Sequence, residues 1–237
     1  MDGIAGVWRL VSMTRTTNRW KEEPGNFDKL NMFQVYPSSN KYGIPTIKKD
    51  EFLPEWLVPY RTRIRTDRDL STGAVHFFLD DYRFEPVWHK PFAAKSVVEN
   101  IGAALSPDFS TYVGYPMAVQ LWNIYRNRWV GAFWQSMGVK VIPTVSWSDE
   151  SSFEYCFLGI EKGSHVAIST VGALSKQEVI NRFKKGYIEM INRIEPSVVL
   201  CYGEGAPFNI EEYNRVKWYP TYWKNIRDTL TYKGGTK

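Results

Sequence analysis

Five short apolar runs punctuate residues 75–204, and each ends in small, polar or acidic residues. They are His76-Phe77-Phe78-Leu79-Asp80-Asp81, Ala103-Ala104-Leu105-Ser106-Pro107-Asp108, Val139 through Ile142 to Thr144-Val145-Ser146-Trp147, Val166-Ala167-Ile168-Ser169-Thr170, and Val198-Val199-Leu200-Cys201-Tyr202-Gly203-Glu204. Runs of this kind, aliphatic or β-branched and followed by polar residues, predict buried parallel strands. Their starts fall near 75, 103, 139, 166 and 198, a spacing of roughly 27–36 residues that matches the size of a βα unit.

Helical spacing fills the intervals. A helix is expected through Ala93 to Glu99. A longer one runs from after Pro116 to about Met137, with Val119, Trp122, Trp129, Phe133 and Met137 as its apolar face and Gly138 at its C′ position. Ser148-Asp149-Glu150-Ser151 reads as the cap of a third helix carrying Phe153, Phe157 and Ile160. Ser175-Lys176-Gln177-Glu178 reads as a capping box for a fourth, with Val179, Phe183, Tyr187, Met190, Ile191 and Ile194 on one side and Pro196 as its stop.

The ends of the chain are less regular. Residues 1–74 read as an N-terminal extension packed on the 75–204 core, with turn chemistry at Pro24-Gly25, Pro37-Ser38-Ser39-Asn40 and Gly43-Ile44-Pro45 and a strand entry at Trp56–Tyr60. Residues 205–237 read as an aromatic, basic closing segment, with Trp218, Tyr219, Tyr222 and Trp223 on a helix. Together these make one α/β domain. Polar residues follow every strand, which favours a barrel-like arrangement, TIM-like or incomplete, with the flanks supplying further strands; an open flavodoxin-like sheet is the alternative.

Composition narrows the class. Hydrophobic residues make up 43% of the 237 and aromatics 16%, enough for a packed core. No apolar run approaches the roughly 18 residues of a membrane span, and the start Met1-Asp2-Gly3-Ile4 is unlike a secretory signal. Cys156 and Cys201 lie in apolar contexts and read as reduced core thiols. A cytoplasmic protein without membrane partners is expected. Charge is uneven: residues 1–74 carry 12 Lys+Arg against 9 Asp+Glu, residues 75–204 carry 12 against 13, and residues 205–237 carry 6 against 3. Basic flanks around a slightly acidic centre suit a phosphorylated small molecule or nucleic acid, or serve solubility alone.

Parallel strands point one way, so the loops after them converge on one face. That places Asp81, Asp108 and Glu204 together as candidate catalytic carboxylates, with Asp81 and Asp108 also able to hold Mg²⁺ beside a phosphate. Asp80, Thr144, Ser146, Trp147, Ser169, Thr170 and Tyr202 are the ligand-binding candidates. Two carboxylates of unlike environment would serve as general acid and base. Each residue also has a structural reading. Asp80 or Asp81 caps the segment near Phe84, Asp108 stabilises the turn at Pro107–Ser110, and the serines and threonines are natural caps. Arg61, Arg63 and Arg65 alternate, and on a strand would share one face about 7 Å apart, either following phosphates or protecting an edge. Tyr125-Arg126-Asn127-Arg128-Trp129 mixes cations with rings but falls mid-helix, with Trp129 expected inward and the arginines outward. His76, His89 and His165 lack metal-ligand spacing, and dinucleotide, Walker and nucleophile-elbow motifs are missing from the sequence.

Several stretches together resemble one protein family. They are His76–Glu85, Leu105–Ser110, Asn123–Trp129, Val141–Trp147 and Ser169-Thr170-Val171-Gly172, with Tyr42-Gly43-Ile44-Pro45 extending the likeness. The family is an uncharacterised one, catalogued as a domain of unknown function in bacteria, phages and other mobile elements. The resemblance implies a phage or mobile-element setting and brings no catalytic residues. Two functions are therefore expected in parallel. One is an enzyme acting on a phosphorylated ligand, nucleotide or nucleic acid, with metal-assisted hydrolysis or transfer. The other is a non-catalytic protein that binds nucleic acid, a nucleotide signal or a host protein. A sugar-processing barrel is a weaker third.

Overall fold

The computed structural model describes residues 30–62, 68–173, 175–222 and 224. The chain divides into two compact units, Met1–Val35 and Tyr36–Lys237, and the described strands and helices all belong to the second.

Among the described residues, seven strands form two parallel sheets: β1 (Trp56–Pro59), β2 (Gly73–His76), β3 (Ala103–Leu105) and β4 (Val141–Ile142) in one, β5 (His165–Ser169), β6 (Val198–Tyr202) and β7 (Val216–Tyr219) in the other. Strand order is sequential in both, and every hydrogen-bonded pair is parallel. The sheets meet where β4 runs on. Val145 N donates to Ala167 O at 2.8 Å and Ala167 N to Pro143 O at 2.9 Å, a parallel bridge between Thr144 and Ala167. Four of the five runs contain a strand, the first begins at His76 where β2 ends, and the flanks add β1 before them and β7 after them.

Alternation along β5 and β6 sorts side chains between two cores, as a two-residue period requires. Val166, Ile168, Val199 and Cys201 face a layer with Tyr187, Met190 and Ile194 of α4 (Gln177–Ile194). Ala167, Val198, Leu200 and Tyr202 face the opposite way and pack with Leu105, Ile142 and Tyr219, joined by Leu57 and Phe78. Two short helices, α1 (Pro86–His89) and α2 (Pro91–Val98), follow β2, and α3 (Met117–Ser136) joins β3 to β4. Gly138, at φ 84°, takes the left-handed turn after α3 that its position predicts.

Helix α3 departs from the expected amphipathic surface helix. Val119 is 41% exposed, whereas Arg126 and Arg128, expected outward, are buried. Arg128 is held on four sides: Nε donates to Leu158 O at 2.9 Å, Nη1 to Thr144 O at 2.9 Å and Asn127 Oδ1 at 2.6 Å, and Nη2 to Cys156 O at 2.8 Å. A planar guanidinium satisfies several loop carbonyls at once, so it replaces apolar packing at this point. Trp129 faces inward as expected.

Three local expectations are overturned. The segment after Asp149 is a 3-10 turn (Glu150–Glu154), in which Asp149 accepts from Ser151 N, rather than a full helix. The capping box at Ser175 does not form; Ser175 Oγ donates back to Gly172 O at 3.0 Å and α4 begins uncapped at Lys176. Trp218 and Tyr219 lie on strand β7 instead of a closing helix. Among the described residues no helix is long and apolar enough to cross a membrane.

Candidate functional site

The carboxyl ends of the strands open onto a cleft of about 1130 Å³. The ends of β1, β5 and β6 reach its wall directly through Pro59, Ser169 and Tyr202, and the segments after β2, β3, β4 and β7 reach it through Phe78, Asp108, Val145 and Thr221. The aromatic part of the floor is Phe78 against Tyr202, stacked with ring centroids 5.1 Å apart, above the buried ring of His76 at 4.5 Å from Tyr202. His76 Nδ1 accepts from Phe78 N at 3.2 Å, and burial pushes the imidazole down to about 3, so it is neutral with its proton on Nε2. Also in the lining, Trp147 packs on Phe183, with centroids 5.5 Å apart, and lies against Gly186 of α4. A Cβ at Gly186 would come within 2.1 Å of Trp147 Nε1, so only glycine lets the indole seat there.

Asp108 is the electrostatic centre of the cleft. Its Oδ1 is buried and has no hydrogen-bond partner. Burial raises its carboxyl from 3.8 to about 7; the Ser146 hydrogen bond opposes the rise, the Asp81 charge adds to it and the Arg128 charge opposes it. An acid of this kind is protonated about half the time near neutrality, where it can give or take a proton. Arg61, Arg83 and Arg182 line the same cleft with Asp80. Arg182 Nη1 is paired to Glu178 at 2.6 Å, while Arg61 lies over the Tyr60 ring at 5.5 Å.

The expected site residues divide into two groups. Asp80, Asp108, Ser146, Trp147, Ser169, Tyr202 and Arg61 line the cleft. Asp81, Thr144, Thr170 and Glu204 do not. Asp81 secures a loop: Oδ1 accepts from Ser110 Oγ at 2.7 Å and Oδ2 from Ser110 N at 3.1 Å. Thr144 is buried, its carbonyl taken by Asn127 and Arg128. Thr170 is buried beside Cys201. Glu204 is exposed and accepts from Thr221 Oγ1 at 2.9 Å. The strand-end carboxylates thus converge only in part: Asp81 and Asp108 interact, and among the described residues no group of three His, Cys, Asp or Glu is placed to hold a metal ion. Arg61 lies beyond β1 with φ 59°, in the left-handed region, and so is not itself extended; Arg63 and Arg65 lie outside the described residues.

Sequence reasoning missed Arg83, Arg182, Thr111, Tyr112 and Tyr222. Arg83 stands two residues after Asp81 in the same strand-end motif and was open to inference from the convergence of strand ends. Arg182 projects from the first turns of α4, which no strand-end rule selects.

A family model described as Domain of unknown function (DUF4417) matches residues 36–220. The chain belongs to this family. The DUF4417 match begins at Tyr36, the residue where the second compact unit begins, and ends one residue beyond β7, so it spans the described strands and all of the cleft lining except Thr221 and Tyr222. Two relatives come from phages. The chain is 42% identical over 222 residues to the Gene 1 protein of Mycobacterium phage L5, covering 93% of this chain and 97% of that one. It is 42% identical over 219 residues to the Gene 1 protein of Mycobacterium phage D29, covering 92% and 81%. No solved structure matches.

Proposed function

We propose that the cleft binds a phosphorylated ligand of nucleotide size and that Asp108 exchanges a proton with it. The observation that carries this reading is the Asp108 carboxyl, with Oδ1 buried, unpartnered and part of the cleft wall. Arg61 and Arg83 supply planar donors suited to phosphate oxygens. Trp147 and the Phe78–Tyr202 pair supply ring faces for a base. In a hydrolysis, water attacks phosphorus while the ester P–O bond breaks. Asp108 gives its proton to the leaving oxygen and recovers one from the attacking water. The relatives' source makes a phage setting, inside the infected cell, part of the same proposal, and the two buried free thiols are consistent with it.

We extend the proposal to a barrel-like closure of the two sheets. Supporting it are the sequential parallel order, the inward cluster that joins β3 to β7 with Leu57 of β1, and the contact of Tyr219 Oη with Pro54 O at 2.5 Å just before β1. An open flavodoxin-like sheet reverses its strand order at a switch point, and neither sheet does so.

Calorimetric titration with a panel of nucleoside mono- and diphosphates, with and without Mg²⁺, tests the ligand class, and ³¹P NMR reads turnover. Arg61→Ala and Arg83→Ala should each weaken phosphate-dependent binding by about tenfold. Asp108→Asn should keep binding and lose turnover. Wild-type protein that ignores the whole panel would sink the reading, and binding without turnover would leave the non-catalytic binding protein, supported by the separate commitments of Asp81 and Glu204.

A further inference from the structure

The rim of the cleft exposes rings that the fold holds in place. Tyr82 is 78% exposed, Tyr112 58% and Tyr115 43%. Rings on a slack loop would say little, but this turn is anchored. Tyr115 N donates to Tyr112 O at 3.1 Å, Gln120 Nε2 to Tyr115 O at 2.9 Å, and Asn123 Nδ2 to Ser110 O at 2.6 Å. The two tyrosine rings meet edge to face, centroids 5.2 Å apart. The Asp81–Ser110 clamp sets this turn beside the segment carrying Tyr82 and Arg83. Ordered, solvent-facing aromatic side chains mark a contact surface.

The charge around the rim indicates what it contacts. Arg83 follows Tyr82 and lines the cleft, Arg61 lines it from the end of β1, and burial keeps Asp108, which also lines it, partly protonated near neutrality. Ring faces that stack on bases, bordered by guanidinium groups that pair with phosphates, are the means by which single strands are held without sequence readout. The cleft itself, at about 1130 Å³, is large enough to admit a nucleotide.

We propose that the Tyr82–Tyr112–Tyr115 rim binds single-stranded nucleic acid and leads one nucleotide of the strand into the cleft, an inference that rests on the cleft being a nucleotide site. The test uses the full chain, with fluorescence anisotropy of labelled twelve-nucleotide dT and rU oligomers beside calorimetry of the mononucleotides. Tyr82→Ala/Tyr115→Ala removes two rings that do not line the cleft, and circular dichroism should show an unchanged fold. Wild-type protein should bind the oligomers with an affinity that falls as salt rises, and the double variant should bind them about tenfold or more weakly while holding mononucleotides as before. Oligomer binding unaffected by the double substitution overturns the rim. Mononucleotide binding with no oligomer binding also overturns it and leaves the cleft reading standing. Oligomer binding through the tyrosines with no mononucleotide binding overturns the cleft reading and the entry of a nucleotide into it, and leaves only strand binding at the rim. Tyrosine-dependent self-association in sedimentation without oligomer binding assigns the rim to protein contact and overturns the proposal.

Discussion

Replacing Asp108 by Asn should stabilise the protein progressively as pH rises from 4 to 8. The carboxyl is raised from 3.8 to about 7 by burial beside Asp81. Below the unfolded value of 3.8 the group is protonated in both states and contributes nothing to pH dependence. Between that value and about 7 the unfolded chain is ionised while the folded one keeps its proton, so folding stability falls as pH rises; above 7 the loss is complete. A rise of this size corresponds to about 4 kcal/mol, an upper figure because part of the residue borders the open cleft. Asn cannot ionise, so the variant lacks this slope. Its amide adds a pH-independent offset of about 1–3 kcal/mol if an N–H is left without an acceptor. The informative quantity is therefore the change in the wild-type–variant difference with pH. Urea unfolding of both proteins at pH 4, 6 and 8 measures it, and titrating groups that do not interact with Asp108 cancel in the comparison. A difference that stays flat across that range would refute the assignment of a shielded, proton-holding carboxyl at Asp108.

Gly186→Ala should displace the Trp147 indole, lowering stability by about 1–3 kcal/mol as overpacking does and reducing nucleotide affinity in the same calorimetric titration. Arg128→Met should cost about 3–5 kcal/mol in urea unfolding, since the carbonyls of Thr144, Cys156 and Leu158 lose their donor together. Burial pushes both thiols, Cys156 and Cys201, up to about 12, so a disulfide reagent should leave the native protein unlabelled at pH 8 and label 2 thiols after unfolding.

The strand positions of the core were legible because their signal is local. Runs such as Val198–Tyr202 need only their own apolar residues to show a strand buried on both faces, and that strand lies where the run lies. The flanks were harder to read. Trp218 and Tyr219 lie on β7 because Val199 and its neighbours in β6 offer a partner edge, and an aromatic pair carries no record of that edge. Arg126 and Arg128 misled for the same reason. A charged residue mid-helix normally faces water, but here loop carbonyls and Glu85 take its donors.

The sequence alone determined that this chain is an α/β protein of parallel strands and that polar and acidic residues gather at their carboxyl ends, since both follow from side-chain period and chain direction. Only the tertiary structure decided among the carboxylates. Asp80, Asp81, Asp108 and Glu204 share a chemistry and a strand-end position, so their sequence neighbourhoods do not rank them. Asp81 met Ser110 and became a clamp, Glu204 met Thr221 at the surface, and Asp108 lost its water without gaining a partner for Oδ1. Hydration is set by which loops come together, a long-range property, and the loss of it separates the candidate proton-transfer group from its chemically identical neighbours.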